Sequence, residues 1–274
     1  MATQEQLADR FRSLHRPGTP LLMPNPWDLG SARLLASLGF EALATTSSGH
    51  AMTLGRRDGG VTREQALAHA AEIVAATPLP VSADLENGFG DAPEVVAETV
   101  ALACEAGLAG CSIEDYGGDD GEPHIYDRGL AAERVVAAVE AARAAPVRLV
   151  LTARAENHIR GVDDLDDTIA RLQAYEQAGA DVLYAPGLRE LAQIRTVVEA
   201  IARPVNVLMY PGCPSVAQLA AIGVARVSVG GGFAFAALGA VVEAARELRE
   251  QGTGGYLERT GVGARAVREA FPPG

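Results

Sequence analysis

Apolar and polar positions along this chain change period in a regular alternation. Short runs rich in aliphatic and β-branched residues are followed by longer, alanine-rich stretches with helical periodicity. The runs predict strands over Leu21–Met23, Ala42–Thr45, Pro80–Asp84, Gly110–Glu114, Leu149–Arg154, Asp181–Ala185, Val205–Leu208 and Arg226–Val229. The stretches predict helices over Ser31–Leu38, Thr62–Ala76, Ala92–Ala106, Leu130–Ala144, Asp163–Ala178, Glu190–Ile201, Ser215–Ile222 and Phe233–Arg249. Several helices run into a glycine and then a strand: Leu38-Gly39-Phe40, Ala106-Gly107-Leu108, Ala178-Gly179-Ala180 and Ile222-Gly223-Val224. A glycine there takes the left-handed position that ends a helix. Eight βα units predict one (β/α)8 barrel domain spanning 1–274, with a helical arm over 1–17 and a tail over 250–274. An open doubly wound sheet is the competitor. It lacks support because Pro24-Asn25-Pro26-Trp27, and not a GxGxxG turn, follows the first strand.

In a barrel the catalytic groups gather where strands end. The third strand ends in Asp84 and, two residues on, Glu86, followed by the glycine-rich Asn87-Gly88-Phe89-Gly90. Strand alternation predicts that Ser82, Asp84 and Glu86 share a face. Two carboxylates about 7 Å apart at an effective dielectric of about 20 repel by about 2 kcal/mol. Water, a shared proton or a cation between them would each relieve that. Other strand ends carry Thr45-Thr46-Ser47, Glu114-Asp115, and Arg154 with Glu156 and Asn157. Two long connections, Ser47–Gly60 and Tyr116–Gly129, are glycine-rich and charged and are expected to serve as lids. Tyr184 and Tyr210 are candidates for shaping the pocket. His50, His69 and His158 are expected only at the surface or in loops, and Cys104 and Cys111 in the core.

Composition narrows the chemistry. The chain has 274 residues, 48% of them hydrophobic, enough for a large core. Its formal net charge of −12 is spread along the sequence, which argues against nucleic acid or an anionic membrane as partner. All 23 basic residues are arginine. Without a lysine amine, Schiff-base aldolases, pyridoxal-phosphate enzymes and P-loop NTPases are excluded. Three scattered cysteines and no apolar signal core predict a cytoplasmic protein, and no run is long enough to span a membrane.

The motifs resemble those of the isocitrate lyase / phosphoenolpyruvate mutase superfamily. The resemblance rests on Asp84-Leu85-Glu86-Asn87-Gly88-Phe89-Gly90, Ile113-Glu114-Asp115, Thr152-Ala153-Arg154-Ala155-Glu156 and Gly55-Arg56-Arg57-Asp58, in that family's strand order. It implies a Mg2+ site, with Mn2+ as the alternative ion. Glu86 stands at the position of the direct or near-direct ligand, and Asp84 and Glu114 at acids that hold the ion mostly through water. It implies that Asp58 closes over the site and that Thr45, Thr46 and Ser47 bind the substrate's oxyacid end. Arg154 is implied to bind the substrate carboxylate and the oxygen that becomes an enolate. It further implies a homotetramer of dimers that exchange the eighth helix.

On the connection after the fourth strand the chain departs from the family. The lyases carry a Lys-Lys/Arg-Cys-Gly-His motif there, and the mutases a lysine and an Asn-Ser pair; this chain reads Gly117-Gly118-Asp119-Asp120-Gly121-Glu122-Pro123-His124. Glu122 and His124 fall at the places of the lyase cysteine and histidine and are the candidates for acid/base catalysis. The resemblance implies carbon–carbon cleavage or decarboxylation of a small 2-oxo or 2-hydroxy di- or tricarboxylate through an enolate. The alternatives are a phosphonate-type P–C reaction and a non-catalytic 2-oxo acid binder.

Overall fold

The computed structural model describes residues 2–118 and 122–271. Eight parallel strands form the barrel: β1 (Leu21–Met23), β2 (Leu43–Ala44), β3 (Val81–Asp84), β4 (Gly110–Glu114), β7 (Val150–Arg154), β8 (Val182–Tyr184), β9 (Val205–Leu208) and β10 (Arg226–Ser228). They pair in the order β1-β10-β9-β8-β7-β4-β3-β2. The seam between β1 and β2 is closed by two hydrogen bonds. Ala44 N donates to Pro24 O (3.1 Å), and Asn25 Nδ2 donates to Thr45 O (3.0 Å). Asn25 Oδ1 accepts from Val229 N and Gly230 N at 3.0 and 2.9 Å, so one side chain ties three strand ends together. Two further short strands, β5 (Tyr116–Gly117) and β6 (His124–Ile125), make an antiparallel hairpin beside the barrel.

The helices are α1 (Gln4–Leu14), α2 (Leu29–Ser37), α3 (Ser47–Thr53), α4 (Arg63–Ala76), α5 (Pro93–Glu105), α6 (Arg128–Ala144), α7 (Leu165–Ala178), α8 (Leu191–Ala200), α9 (Val216–Ala221), α10 (Gly232–Gln251) and α11 (Thr260–Ala270). The eight expected βα units are present, and the (β/α)8 expectation holds. Gly39, Gly107, Gly179 and Gly223 all have φ between +84° and +99°, as their helix-ending role requires. The expected lid over Ser47–Gly60 is instead helical in its first half. Thr46 caps α3 by accepting from Gly49 N (3.4 Å), a signal hidden in the run Thr45-Thr46-Ser47-Ser48. The tail also carries a helix, α11, which packs on α2 with Phe271 against Gly30. No helix among the described residues is long and apolar enough to cross a membrane.

Alternation along the strands sorts the core. Val81, Ala83, Ile113, Leu151, Ala153, Leu183, Val205, Val207 and Val227 join the apolar layer between sheet and helices. Their alternates Ser82, Asp84, Ser112, Arg154, Tyr184, Asn206, Arg226 and Ser228 line a cavity inside the barrel. These inward positions therefore carry polar and charged side chains, where branched apolar layers are usual.

At the opposite end α1 plugs the barrel, burying Ala8 and Phe11 against Leu21, Ala109, Val150 and Val182. A Cβ at Gly110 would come within 2.9 Å of the Phe11 ring, so that close approach needs the glycine. His15, just after α1, is buried. Its Nδ1 lies 2.8 Å from Phe11 O and its Nε2 3.3 Å from Arg226 Nη1. Arginine can only donate, so Nε2 accepts and Nδ1 carries the proton. Burial and the charge of Arg226 push its pKa down to about 3. The unfolded chain therefore binds this proton first as pH falls, and the neutral His15 contributes stability that is lost below about pH 6.5. Between pH 6.5 and 5 the loss is about 2 kcal/mol. Urea unfolding at several pH values should show the stability gap between wild type and His15→Gln shrinking over that range. A gap independent of pH would contradict a neutral, buried His15.

Candidate active site

The mouth of the cavity is organised by Arg154, the last residue of β7. Register pairs Glu114 with Arg154, Arg154 with Tyr184, Tyr184 with Asn206, and Asn206 with Arg226. Residues paired across parallel strands face the same side, so five polar side chains from five strands converge inward. Arg154 Nη1 lies 2.9 Å from Asp84 Oδ1, and Nη2 lies 3.0 Å from Glu114 Oε2 and 2.9 Å from Glu156 Oε1. Arg160 reinforces the cluster, with Nη2 3.3 Å from Glu114 Oε1 and 3.1 Å from Glu156 Oε2, while its guanidinium stacks 3.6 Å from the centroid of Tyr116. Burial pushes the Glu114 and Glu156 carboxyls up against the pull of Arg154. Burial would lower the pKa of Arg154, but Glu114, Glu156 and Asp84 outweigh it and hold the guanidinium charged.

Asp84 faces the cavity and is fixed from two sides. Its backbone N donates to Thr45 Oγ1 (3.0 Å), and its Oδ2 accepts from Ser47 N (3.2 Å). Thr45, Thr46, Ser47 and Asp58 line the same cavity, which has a volume of about 380 Å³. Tyr184 and Tyr210 line it too.

Glu86 does not continue the alternation. The strand ends at Asp84, and Glu86 (φ +50°), Gly88 (φ +83°) and Phe89 (φ +63°) adopt left-handed backbone. Glu86 therefore reaches a side recess of about 10 Å³ shared with Asp84, Thr45, Ser47, His50 and His69, at the lower limit for one water. Burial, then the charges of Asp84 and Asp58, push its carboxyl up to about 8. His50 and His69, expected only in surface or loop positions, are stacked beside it with ring centroids 3.9 Å apart. Burial lowers both, His69 to about 4. The His158 side chain is also largely covered, 3.3 Å from Asp163.

This loop is clamped from behind by Arg134 of α6, which donates to the carbonyls of Gly90 (2.6 Å), Asp91 and Asn87. Glu114 N donates to Glu86 O (2.9 Å) and Thr99 Oγ1 to Gly88 O (2.8 Å). Sequence reasoning missed Arg134. Its signal was an arginine on the face that otherwise buries Ala131, Val135, Ala138, Val139 and Ala142. It also missed Asn25, Arg160 and the pairing role of Glu156. Glu122 and His124 are exposed on and beside the β5–β6 hairpin, away from the cavity lining. Residues 119–121 of that connection lie outside the described residues.

The donor set suits a hard divalent cation. Five carboxyl groups (Asp58, Asp84, Glu86, Glu114 and Glu156) face two guanidinium groups, and neither Glu86 oxygen has a hydrogen-bond partner among the described residues. No three of the described His, Cys, Asp or Glu side chains are grouped to ligate one ion directly. Asp84 and Glu86 share one recess, where a cation would have to keep several of its waters, a demand that Mg2+ meets.

Backbone strain tests the loop's placement. Gly39 and Gly88 both have positive φ, but a Cβ at Gly39 meets nothing within 4 Å, whereas one at Gly88 meets Val96 Cγ2 at 3.1 Å. Gly39→Ala should cost about 1 kcal/mol and Gly88→Ala about 2 kcal/mol or more in urea unfolding. Equal costs would contradict a loop pressed onto α5.

Comparison with known proteins agrees with the geometry. The family model described as phosphoenolpyruvate phosphomutase matches residues 11–249. The 2-methylisocitrate lyase of Halalkalibacterium halodurans is 31% identical over 204 residues, 74% of this chain and 67% of that one. The oxaloacetate decarboxylase of Ectopseudomonas mendocina is 30% identical over 258 residues, 90% of this chain and 86% of that one. A crystal structure of a lyase/mutase-type protein from Burkholderia cenocepacia J2315 is 55% identical, with a TM-score of 0.92 and coverage of 97% and 96%. A crystal structure of 2,3-dimethylmalate lyase is 28% identical, with a TM-score of 0.83 and coverage of 99% and 96%. The chain belongs to the phosphoenolpyruvate phosphomutase family, within a superfamily in which its relatives include carbon–carbon lyases.

Proposed function

We propose that this protein is a Mg2+-dependent enzyme that cleaves a carbon–carbon bond in a small 2-oxo or 2-hydroxy di- or tricarboxylate, as a lyase or decarboxylase. The observation that carries the reading is Arg154, charged and held by three carboxylates at the wall of the cavity. Relatives named as 2-methylisocitrate lyase and oxaloacetate decarboxylase support it.

In this reading the substrate's 2-oxo acid end lies against Thr45, Thr46 and Ser47, with its C2 oxygen toward Arg154. A 2-hydroxy acid loses its hydroxyl proton and breaks C2–C3, its C2 oxygen becoming a carbonyl and the electron pair passing to C3. With a 2-oxo acid, breaking the C3–C4 bond instead sends its electron pair into the C2–C3 π bond and negative charge onto the C2 oxygen. Arg154 is already oriented for that charge and need not reorganise, the condition under which a donor contributes most to rate. Glu86 would hold Mg2+ directly or nearly so, with Asp84 and Glu114 holding it mostly through its waters, and the bound ion would supply Lewis-acid polarisation at the same end. Asp58 closes over the site, and Glu122 or His124, brought in with the connection after β4, exchanges the proton with the reacting carbon.

Assembly and location follow the same reading. The helix α10 buries only Ala234, while Phe235, Val241, Val242 and Leu248 on it are about half exposed. A homotetramer of dimers that exchange α10 would cover this face, in a cytoplasmic protein. Small-angle scattering should give a tetramer's mass, and a monomer at micromolar concentration would remove this assembly.

Turnover of a panel of oxaloacetate, 2-methylisocitrate, 2,3-dimethylmalate and phosphonopyruvate, with and without Mg2+, tests the reaction. Mg2+-dependent cleavage of a carboxylate is expected, with Arg154→Met reducing kcat/KM by on the order of 100-fold or more. Cleavage of phosphonopyruvate alone would favour the P–C reaction, and tight binding without turnover a binding protein. Near-wild-type turnover in both Glu122→Gln and His124→Asn would remove those two residues from the acid/base role.

A further inference from the structure

Two arginines reach into the barrel, and they are not alike. Arg154 is surrounded by carboxylates. Arg226, on β10, is 3% exposed, lines the same cavity and has no carboxylate partner among the described residues. Its Nε donates to Asn206 Oδ1 (2.9 Å) and its Nη1 to Thr152 Oγ1 (3.1 Å) and His15 Nε2 (3.3 Å). Each of these partners is neutral, His15 because burial keeps it so. No hydrogen bond from Nη2 is formed among the described residues. Asn206 is itself held in place by donating to Ser228 Oγ (2.9 Å). Burial and the field of Arg154 push Arg226 down to about 10, so it remains a cation at neutral pH.

A buried charge without a counter-charge is costly, and the cost is relieved when a ligand supplies the opposite charge. The position suits one. Thr152, which Arg226 touches, and Arg154 are two residues apart on one face of β7, a rise of about 7 Å. Arg226 thus touches β7 one inward position below Arg154, so the two guanidinium groups line one cavity at different depths.

We propose that Arg226, with Asn206 and Ser228, seats a second carboxylate of the substrate, at the end remote from the 2-oxo or 2-hydroxy acid group. The inference rests on the reading of the cavity as a 2-oxo or 2-hydroxy acid site. The subsite selects diacids over monoacids and sets which way round they enter. The same guanidinium would stabilise a departing carboxylate more in the substrate than in the transition state that releases neutral CO2, which slows such a step. Seating a carboxylate here therefore favours cleavage as a lyase over loss of that same carboxylate as CO2.

Racemic malate and racemic lactate differ by this one carboxylate, and their affinities with Mg2+ can be read by isothermal titration calorimetry. Wild type should bind malate about 10- to 100-fold more tightly than lactate. Asn206→Asp is close to isosteric and places a carboxylate beside Arg226. It should raise Tm by relieving the unpaired charge and abolish the preference for malate, weakening malate binding more than lactate binding. Arg226→Gln should abolish the preference as well. Equal affinity of wild type for the two acids, or an undiminished preference in Asn206→Asp, would overturn the subsite while leaving the 2-oxo or 2-hydroxy acid reading intact. Binding of neither acid would overturn that reading and the subsite with it.

Discussion

Everything at the mouth of this barrel depends on the guanidinium of Arg154 lying within 3.0 Å of three carboxylates from three strand ends. Remove that cation and Asp84, Glu114 and Glu156 repel one another in a poorly solvated wall, a situation that is strongly destabilising for buried charges. The cluster also explains why β3, β4 and β7 end where they do. Each delivers an acid or the arginine at the same height, and Arg160 with Tyr116 closes the outer side. In the proposed reaction the guanidinium that stabilises the mouth is also the group that would meet a developing negative charge.

A second constraint is the bend after β3. Keeping Glu86 and Phe89 in left-handed backbone costs energy that the surrounding structure must offset, and Arg134 offsets it by binding three carbonyls of the loop. The bend turns Glu86 out of the strand face and into a recess beside His50 and His69. Asp84 and Glu86, two residues apart in sequence, thus approach a shared site from different directions. Charge is divided by depth: acids at the mouth, an arginine without a carboxylate partner among the described residues near the floor, and the α1 plug below.

Much of this was legible in the amino-acid sequence. Period-two runs alternating with alanine-rich helices gave the barrel, and the Leu-Gly-Phe type junctions gave the helix ends, because both follow from local backbone preference. The converging acids were legible because strand ends of a barrel lie together by topology. Less legible were features that depend on tertiary partners. Alternation extended one step too far at Glu86, since a positive φ outside glycine is set by Arg134, which lies far away in sequence. The helix α3 was concealed by a polar run that also reads as a loop. The burial of His69 and the isolation of Arg226 depend on what other strands and helices bring near, and neither has a local signature. Glu122 and His124 follow from alignment to a family motif, and their exposed hairpin does not by itself bring them to the cavity.

The central claim is that the cluster around Arg154 and Asp84 receives a Mg2+-chelated 2-oxo acid. A crystal structure with Mg2+ and oxalate, a mimic of the enolate of a 2-oxo acid, tests it most directly. The account predicts a largely hydrated ion against Asp84 and Glu86, with one oxalate oxygen within hydrogen-bonding distance of Arg154. Oxalate bound elsewhere, or bound at Arg154 with no metal at saturating Mg2+, would contradict it.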